Sequence, residues 1–177
     1  MVKKLFKFFG YSLFFIVALM YFTPKVSVYY FLETKLTQFA VVVSSEEAID
    51  KGFTLELNHA DVYYKSIQSA NIETTDIKLF VLYNALSFQN ITISSAAKSF
   101  VPLHVQNANI KYTIFDPLHI KADIVGEFGN ANVSFDIREK TLHLKLFPSP
   151  LMLKSYGNTL KNMRKNEKGE FTYDKTI

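Results

Sequence analysis

The chain has 177 residues, a formal net charge of +4 and no cysteine, which together exclude several classes of protein. Without cysteine there is no disulfide framework, thiol nucleophile or thiolate metal site. Lys3, Lys4 and Lys7 carry three of the four net charges, so the rest is nearly neutral and lacks the basic stripe typical of nucleic-acid binding. Seventeen Phe and ten Tyr beside only six Gly favour strands, because aromatic residues suit pleated, half-buried surfaces.

The first predicted element is a membrane anchor over residues 1–24. Phe8 to Phe22 contains no charge, and the apolar run extends back to Leu5 with Lys7 as its only interruption. Eighteen helical residues span about 27 Å, close to the hydrocarbon core of a bilayer. A signal peptide is the alternative, but no small-x-small cleavage site follows the run. The lysines before it predict a cytoplasmic N-terminus, a single pass through the inner membrane, and a periplasmic location for the remainder.

A membrane-proximal helix is predicted next, over residues 25–40. Thr23 is the expected N-cap and Pro24 the first helical residue. From Val41 onward apolar and polar residues alternate along about eight to ten strands, which is typical of sheets with one buried face. No long helical stretch separates these strands, so parallel crossovers are excluded. We therefore predict a mainly β domain over 41–177, a curved antiparallel sheet or groove of meander or jellyroll type.

The alternation also predicts which residues form the apolar face of this sheet. Such a face must be covered by curling of the sheet, by a helix, by a partner or by lipid. An amphipathic C-terminal helix, starting at Ser149–Pro150 and running to about residue 168 before Gly169, is one candidate cover. The predicted lining of the groove or core is Phe53, Leu55, Leu57, Ile77, Leu79, Phe88, Leu103, Ile110, Tyr112, Phe135, Leu142 and Leu144.

The sequence predicts no catalytic, metal or cofactor site. His59 and Asp61 are two residues apart and would share one face of a strand, but no second cluster completes the ligand set of a metal site. The other histidines, at 104, 119 and 143, are scattered one per strand. No nucleophile elbow, HExxH or glycine-rich phosphate loop is present. We interpret the slipped alternation at His59–Ala60 as a bulge or bend in a strand.

The order of segments has a parallel in a known family. After the anchor come "FTLELNHADVYYKSI", then "ANIETTDIKLF", and a closing "LHLKLFPSPLMLKSYGNTLKNMRKNEKGEFTY". This organisation resembles small bacterial proteins classed as type II secretion system protein N-like, which are related in architecture to AsmA-like periplasmic bridge proteins. The resemblance spans most of residues 25–173 and implies a taco-like β-groove without catalytic residues. A lipopolysaccharide-export component with one anchor and a periplasmic β-jellyroll shares the plan.

These observations lead to an expectation about function and to one alternative. We expect a non-enzymatic, inner-membrane-anchored periplasmic component of an envelope-spanning machine, such as a secretion, type IV pilus, competence or flagellar-motor scaffold. Its edge strands would pair with sheets of partner proteins. The alternative is a module for lipid or lipopolysaccharide transfer that binds acyl chains in its groove. The expected partners are the membrane, other envelope proteins and, in the alternative, lipid, without nucleic acid or a cofactor.

Overall fold

The structure is a computed structural model that describes residues 2–80 and 82–176. The predicted domain ends at residues 1 and 177 therefore lie outside the described residues. Two helices open the chain, followed by a short 3-10 turn: α1 (Val2–Phe22), α2 (Lys25–Leu36) and the turn Thr37–Phe39. The segment Lys3–Phe22 of α1 is long and apolar enough to cross a membrane, and none of it is buried.

In the part of the chain that the structure describes, eleven strands form one sheet, and every pair of neighbours is antiparallel. The strands are β1 (Val41–Ser44), β2 (Glu47–Asp50), β3 (Leu55–Tyr64), β4 (Ile67–Leu79), β5 (Tyr83–Ile93), β6 (His104–Thr113), β7 (His119–Gly126), β8 (Gly129–Asp136), β9 (Thr141–Pro148), β10 (Arg164–Lys165) and β11 (Phe171–Thr176). From β3 to β9 their order in the sheet is their order in the chain. This confirms the predicted mainly β fold. The strands outnumber the predicted eight to ten, because strands as short as β2 and β10 contain too little alternation to be recognised in the sequence.

A single apolar face crosses the sheet from β3 to β9. Leu55 pairs with Ile77, Ile77 with Leu86, and Leu86 with Ile110. Residues directly opposite each other in antiparallel strands point to the same side, so the alternation within each strand adds up to one surface. The row continues through Ala122, Val133 and Leu144.

Four strands carry an extra residue at one common level, which we call the unpaired row: His59, Glu73, Asn90 and Gln106. The ladder between β3 and β4 omits the first two, and the ladder between β5 and β6 omits the last two. His59 and Asn90 adopt left-handed backbone conformations, with φ of 57° and 51°, which His and Asn tolerate better than most residues. The predicted slip at His59–Ala60 is thus confirmed. Extra strand residues bend and twist a sheet, so this row curves the face.

Two short helices, α3 (Pro150–Ser155) and α4 (Gly157–Leu160), lie on the apolar face near its far edge. Ser149 caps α3 as predicted, since its Oγ accepts a hydrogen bond from the Met152 backbone N–H at 3.1 Å. Together with the strands beneath them the helices enclose a core, which we call the closed core. Its buried members are Ala131, Leu146, Met152, Leu160 and Phe171.

The prediction of one continuous C-terminal helix to about residue 168 is wrong. Tyr156 leaves the helical conformation, with φ −123° and ψ 30°, between α3 and α4. Gly157 and Asn158 follow it, and both residue types disfavour a helix interior. Lys161 is the C-cap of α4, and the chain then turns and enters β10 at Arg164, so the later basic residues Arg164, Lys165 and Lys168 do not lie at a helix end.

The junction between α1 and α2 is held by a buried lysine. Lys25 is only 1% exposed, and its Nζ donates hydrogen bonds to the backbone carbonyls of Tyr21, at 3.3 Å, and Thr23, at 3.2 Å. The Asp50 carboxylate lies 3.7 Å away. The predicted cap is wrong, because the Thr23 hydroxyl donates back to the Leu19 carbonyl at 2.6 Å and Pro24 itself is the N-cap.

The turn between β2 and β3 packs against the last turn of α1. The ring centroids of Tyr21 and Phe53 are 5.4 Å apart. Gly52 has φ of +84°, and a Cβ built there would lie 2.4 Å from the Tyr21 ring, so only glycine permits this approach. Phe53 therefore does not belong to the apolar face, contrary to the sequence prediction. These contacts hold α1 against one end of the sheet, which we call the anchor end.

Candidate functional site

The principal concave site is an apolar groove between α2 and the sheet, with a volume of about 510 Å³. Its floor is the apolar face of β3 to β6, and α2 forms one wall. The floor includes Leu55, Leu57, Ala60, Ile72, Ile77, Leu79, Leu86, Phe88, Ile110 and Tyr112. The groove therefore occupies the part of the apolar face that α3 and α4 leave uncovered.

The groove is open along the second half of α2, because the buried residues of this helix, Lys25 and Tyr29, both lie in its first half. Val26 and Tyr29 pack against a buried cluster that includes Leu55. Further along the helix, Leu32 and Leu36 line the groove but remain 47% and 39% exposed. The second half of α2 thus forms a wall beside the groove without closing it.

Few polar groups line the groove, and the best defined of them lie at the α2 wall. The Tyr29 hydroxyl donates to Glu46 Oε1 at 3.0 Å. Burial raises the pKa of Tyr29 above its ordinary range, and the neighbouring negative charge of Glu46 adds to the shift. Burial also raises the pKa of Glu33, again with a contribution from Glu46. In the floor, Thr75 is the buried polar residue.

Seven of the predicted lining residues lie in this groove: Leu55, Leu57, Ile77, Leu79, Phe88, Ile110 and Tyr112. The other five lie outside the groove. Leu144 packs against the closed core, which the predicted lining of a groove or core includes. Phe53 packs on α1, and Leu103 immediately precedes β6. Phe135 and Leu142 form a cross-strand pair between β8 and β9.

The sequence prediction of a helix over residues 25–40 did not identify Tyr29 as a groove residue. The available signal was the spacing of Tyr29, Leu32 and Leu36, which is i, i+3, i+7. Because α2 also carries apolar residues on its other sides, such as Phe31, which is largely exposed, the spacing alone did not identify the side that faces the groove.

The opposite, polar face brings together a serine, a histidine and an aspartate from three strands. Ser134 pairs with His143, and His143 with Asp174; the His143 Nδ1 lies 2.7 Å from Asp174 Oδ1. Within the described residues no hydrogen bond joins Ser134 to the histidine. The row lies on a continuous ladder, where backbone N–H groups pair with neighbouring strands and are not free to stabilise an oxyanion. A solvated cross-strand hydrogen bond between His143 and Asp174 accounts for this arrangement.

The other titratable clusters are also surface ion pairs. Asp116 contacts Lys121, at 2.6 Å, and His119, and the hydrogen bond from Lys121 is the main reason that the pKa of Asp116 is lowered. Asp61 accepts hydrogen bonds from Gln68 and Asn71 rather than acting with His59. Among residues 2–80 and 82–176, no three His, Cys, Asp or Glu side chains lie close enough together to hold a metal ion.

Comparisons with known proteins leave the family assignment open. No protein-family model, curated protein or solved structure matches the chain. The resemblance to type II secretion system protein N-like and AsmA-like proteins therefore stays a prediction. The geometry of the groove is the basis for the functional argument that follows.

Proposed function

We propose that this chain is a membrane-anchored β-groove protein that holds an acyl chain of a membrane lipid between α2 and the sheet. The observation that carries the proposal is the open groove of about 510 Å³ with an apolar floor. Sites for small molecules commonly measure about 300–1,000 Å³. Apolar surface left in water is unfavourable by roughly 25 cal/mol per Å², so an apolar ligand is the chemistry that suits this surface.

The same proposal places α1 in the inner membrane and the sheet in the periplasm. It is supported by the length and apolar composition of α1 and by Lys3, Lys4 and Lys7 at its start, which favour a cytoplasmic N-terminus. Because the turn between β2 and β3 packs on Tyr21 near the end of α1, the groove lies close to the lipid that it would accept.

An acyl chain fits the floor better than a peptide does. The floor is built from side chains of central strands, whose backbone N–H and C=O groups already pair within the sheet. A peptide lying there would leave its own backbone groups without partners, at a substantial cost in free energy. An acyl chain has no such groups to satisfy.

The scaffold of an envelope-spanning machine, as expected from the sequence, is the second candidate. It would act through pairing of edge strands with a partner sheet. The strands at the edges of the sheet are β1 and β2, with four residues each, and β10, with two, so each offers little main chain for such pairing. The groove therefore supports lipid binding more strongly than the edges support strand addition.

Photocrosslinking in cells tests the proposal. A photoreactive phenylalanine analogue replaces Leu79 or Tyr112, which line the groove, and in a control replaces the exposed Phe147 of β9, which alternates with the buried Leu146. Lipid adducts are expected at the first two positions and not at the third, as read by mass spectrometry. Adducts at Leu79 and Tyr112 that contain only protein would contradict the lipid proposal and favour the scaffold.

A matched pair of charge substitutions on β5 provides the second test. Leu86 lines the groove, whereas its neighbour Ser87 points to the opposite face. Leu86→Glu should abolish co-purification of lipid with the full chain, because a carboxylate would enter an apolar site, while Ser87→Glu should leave it unchanged. Native mass spectrometry reads the bound lipid, and circular dichroism confirms that both variants fold. Equal lipid retention in the two variants would show that the groove is not the binding site.

A further inference from the structure

The register of the sheet brings several loops to the anchor end. Leu55 and Ile110 lie in one cross-strand row, and alternate connections between antiparallel strands leave the sheet on the same side. The connections from β2 to β3, β4 to β5, β6 to β7 and β8 to β9 therefore all lie at the end of the sheet that packs on α1. Their exposed apolar residues are Phe53, Leu82, Ile114, Phe115, Leu118 and Ile137.

Three of these loops are joined to one another, and all four expose apolar side chains. The backbone N–H of Ile114 donates to the Leu82 carbonyl at 3.2 Å, and that of Ile137 donates to the Leu118 carbonyl at 2.8 Å. Phe115 at the tip is 81% exposed. Exposed apolar side chains gathered at one end of a protein mark a site of interaction with a protein or a membrane.

We propose that these anchor-end loops form a second membrane contact, with Phe115 and its apolar neighbours inserted into the surface layer of the bilayer that holds α1. The inference rests on the proposed membrane anchor. Its partner is the lipid surface itself, and the contact would hold the anchor end of the sheet at the membrane. Leu79 and Tyr112, at the ends of β4 and β6, would then lie next to lipid.

The reach of the β6–β7 loop supports a membrane as the partner. Phe53 lies two residues before Leu55 and contacts Tyr21 within α1. Ile110 lies in the same cross-strand row as Leu55. Phe115 lies five residues beyond Ile110. At about 3.3 Å per strand residue, the start of this loop extends along the strand direction at least as far as Phe53. Three inter-strand spacings, from β3 to β6, separate them, a lateral distance of about 14 Å.

The far end of the sheet provides matched controls. Phe100 and Ile67 are also apolar and are 62% and 66% exposed. Ile67 is the first residue of β4 and Phe100 precedes β6, both at the far ends of strands ten or more residues long, roughly 33 Å from the anchor end. Exposure alone therefore does not separate the two ends, whereas proximity to α1 does.

The absence of cysteine makes single-cysteine labelling the direct test. Phe115→Cys, Ile137→Cys, Phe100→Cys and Ile67→Cys are each labelled with an environment-sensitive fluorophore in the full chain, in nanodiscs of phosphatidylethanolamine and phosphatidylglycerol. Labels at 115 and 137 should show blue-shifted emission and quenching by spin-labelled lipids. Labels at 100 and 67 should behave as in water. A label at 115 that is as aqueous as the label at 100 would overturn the inference.

The experiment separates this inference from the proposed lipid groove. Native mass spectrometry of the same labelled proteins reports lipid bound in the groove, whereas the fluorophores report the position of the loops. Aqueous labels at 115 and 137 with lipid still bound would refute the loop contact alone. Membrane-inserted labels without bound lipid would refute the groove and support the loop contact.

Discussion

The closed core and the groove are two parts of the same apolar face, and they differ in what the covering helix does. Over the closed core, Met152 and Leu160 reach down from α3 and α4 and are fully enclosed. Over the groove, the buried residues of α2, Lys25 and Tyr29, lie in its first half, and Leu32 and Leu36 stay exposed. Alternating strands thus define an apolar surface, and the attachment of a helix decides whether that surface becomes a core or a binding site.

The attachment points explain the difference. The segment around α3 and α4 is fixed at both ends, since the Ser149 hydroxyl donates to the Glu127 carbonyl at 2.5 Å and the Thr159 hydroxyl to the Phe100 carbonyl at 2.6 Å. The identified side-chain ties of α2 to the sheet region, through Lys25 and Tyr29, both lie in its first half. The rest of α2 is therefore free to stand away from the floor.

Truncation of one leucine in each region should give the largest contrast. Leu146→Ala in the closed core should lower the free energy of unfolding by about 2–5 kcal/mol, because it leaves a cavity in packed surroundings. Leu86→Ala in the groove should cost only about 1 kcal/mol, because its side chain is half-buried and already borders open space. Denaturant unfolding of the full chain in micelles measures both. Equal losses would mean that the groove is in fact a filled core.

Replacement of the buried Lys25 should weaken the attachment of α2 to the sheet at the start of this helix. Lys25→Met should lower the free energy of unfolding by about 1–3 kcal/mol, since buried carbonyls and Asp50 lose their partner. The control is Lys51→Met, which removes an exposed lysine paired with Glu56 in the same region and should cost less than about 1 kcal/mol. Thermal and denaturant unfolding test the pair. A Lys25→Met protein as stable as the parent would show that this contact does not fix α2.

The smallest expected effect is a pH dependence that arises at the α2 wall. Burial raises the folded-state pKa of Glu33, so its favourable contribution is present at pH values below the unfolded pKa and is lost as the pH rises through the folded pKa. Glu33→Gln should therefore raise the unfolding temperature at pH 7 and change it little at pH 4. Glu47→Gln, an exposed carboxylate of β2, controls for the change in net charge. An unfolding temperature at pH 7 that is unchanged or lower would contradict the prediction.

The predictable features of the fold are those encoded locally. The apolar run of α1, the alternation of the strands, the slip at His59 and the cap at Ser149 each depend on a few neighbouring residues. Gly157 and Asn158 indicated a break between α3 and α4, but the helical spacing of Met152, Tyr156 and Leu160 predicted a continuous helix. The hydrogen bond from Thr159 to Phe100 joins residues far apart in the chain, so no local sequence pattern predicts it.

The groove could be predicted only in part, for the same reason. Alternation identified floor residues such as Leu57 and Phe88, because strand neighbours share a face once they pair. The wall depends on which side of α2 faces the sheet, and that side is selected by the contacts of Lys25 and Tyr29 with distant residues. The cross-strand contact of His143 with Asp174 likewise depends on strand register.

The unpaired row has a consequence for insertions and deletions. Flanking pairs are Asn58–Thr74 and Ala60–Ile72 between β3 and β4, and equivalent pairs flank the row as far as β6. Deletion of all four residues together would join these pairs into an uninterrupted ladder, and every apolar side chain would keep its side. Deletion of one of these residues alone would leave the matching residue of the adjacent strand with no residue opposite it. Curvature of the sheet could therefore be adjusted by four coordinated changes in chain length, without altering any residue that lines the groove.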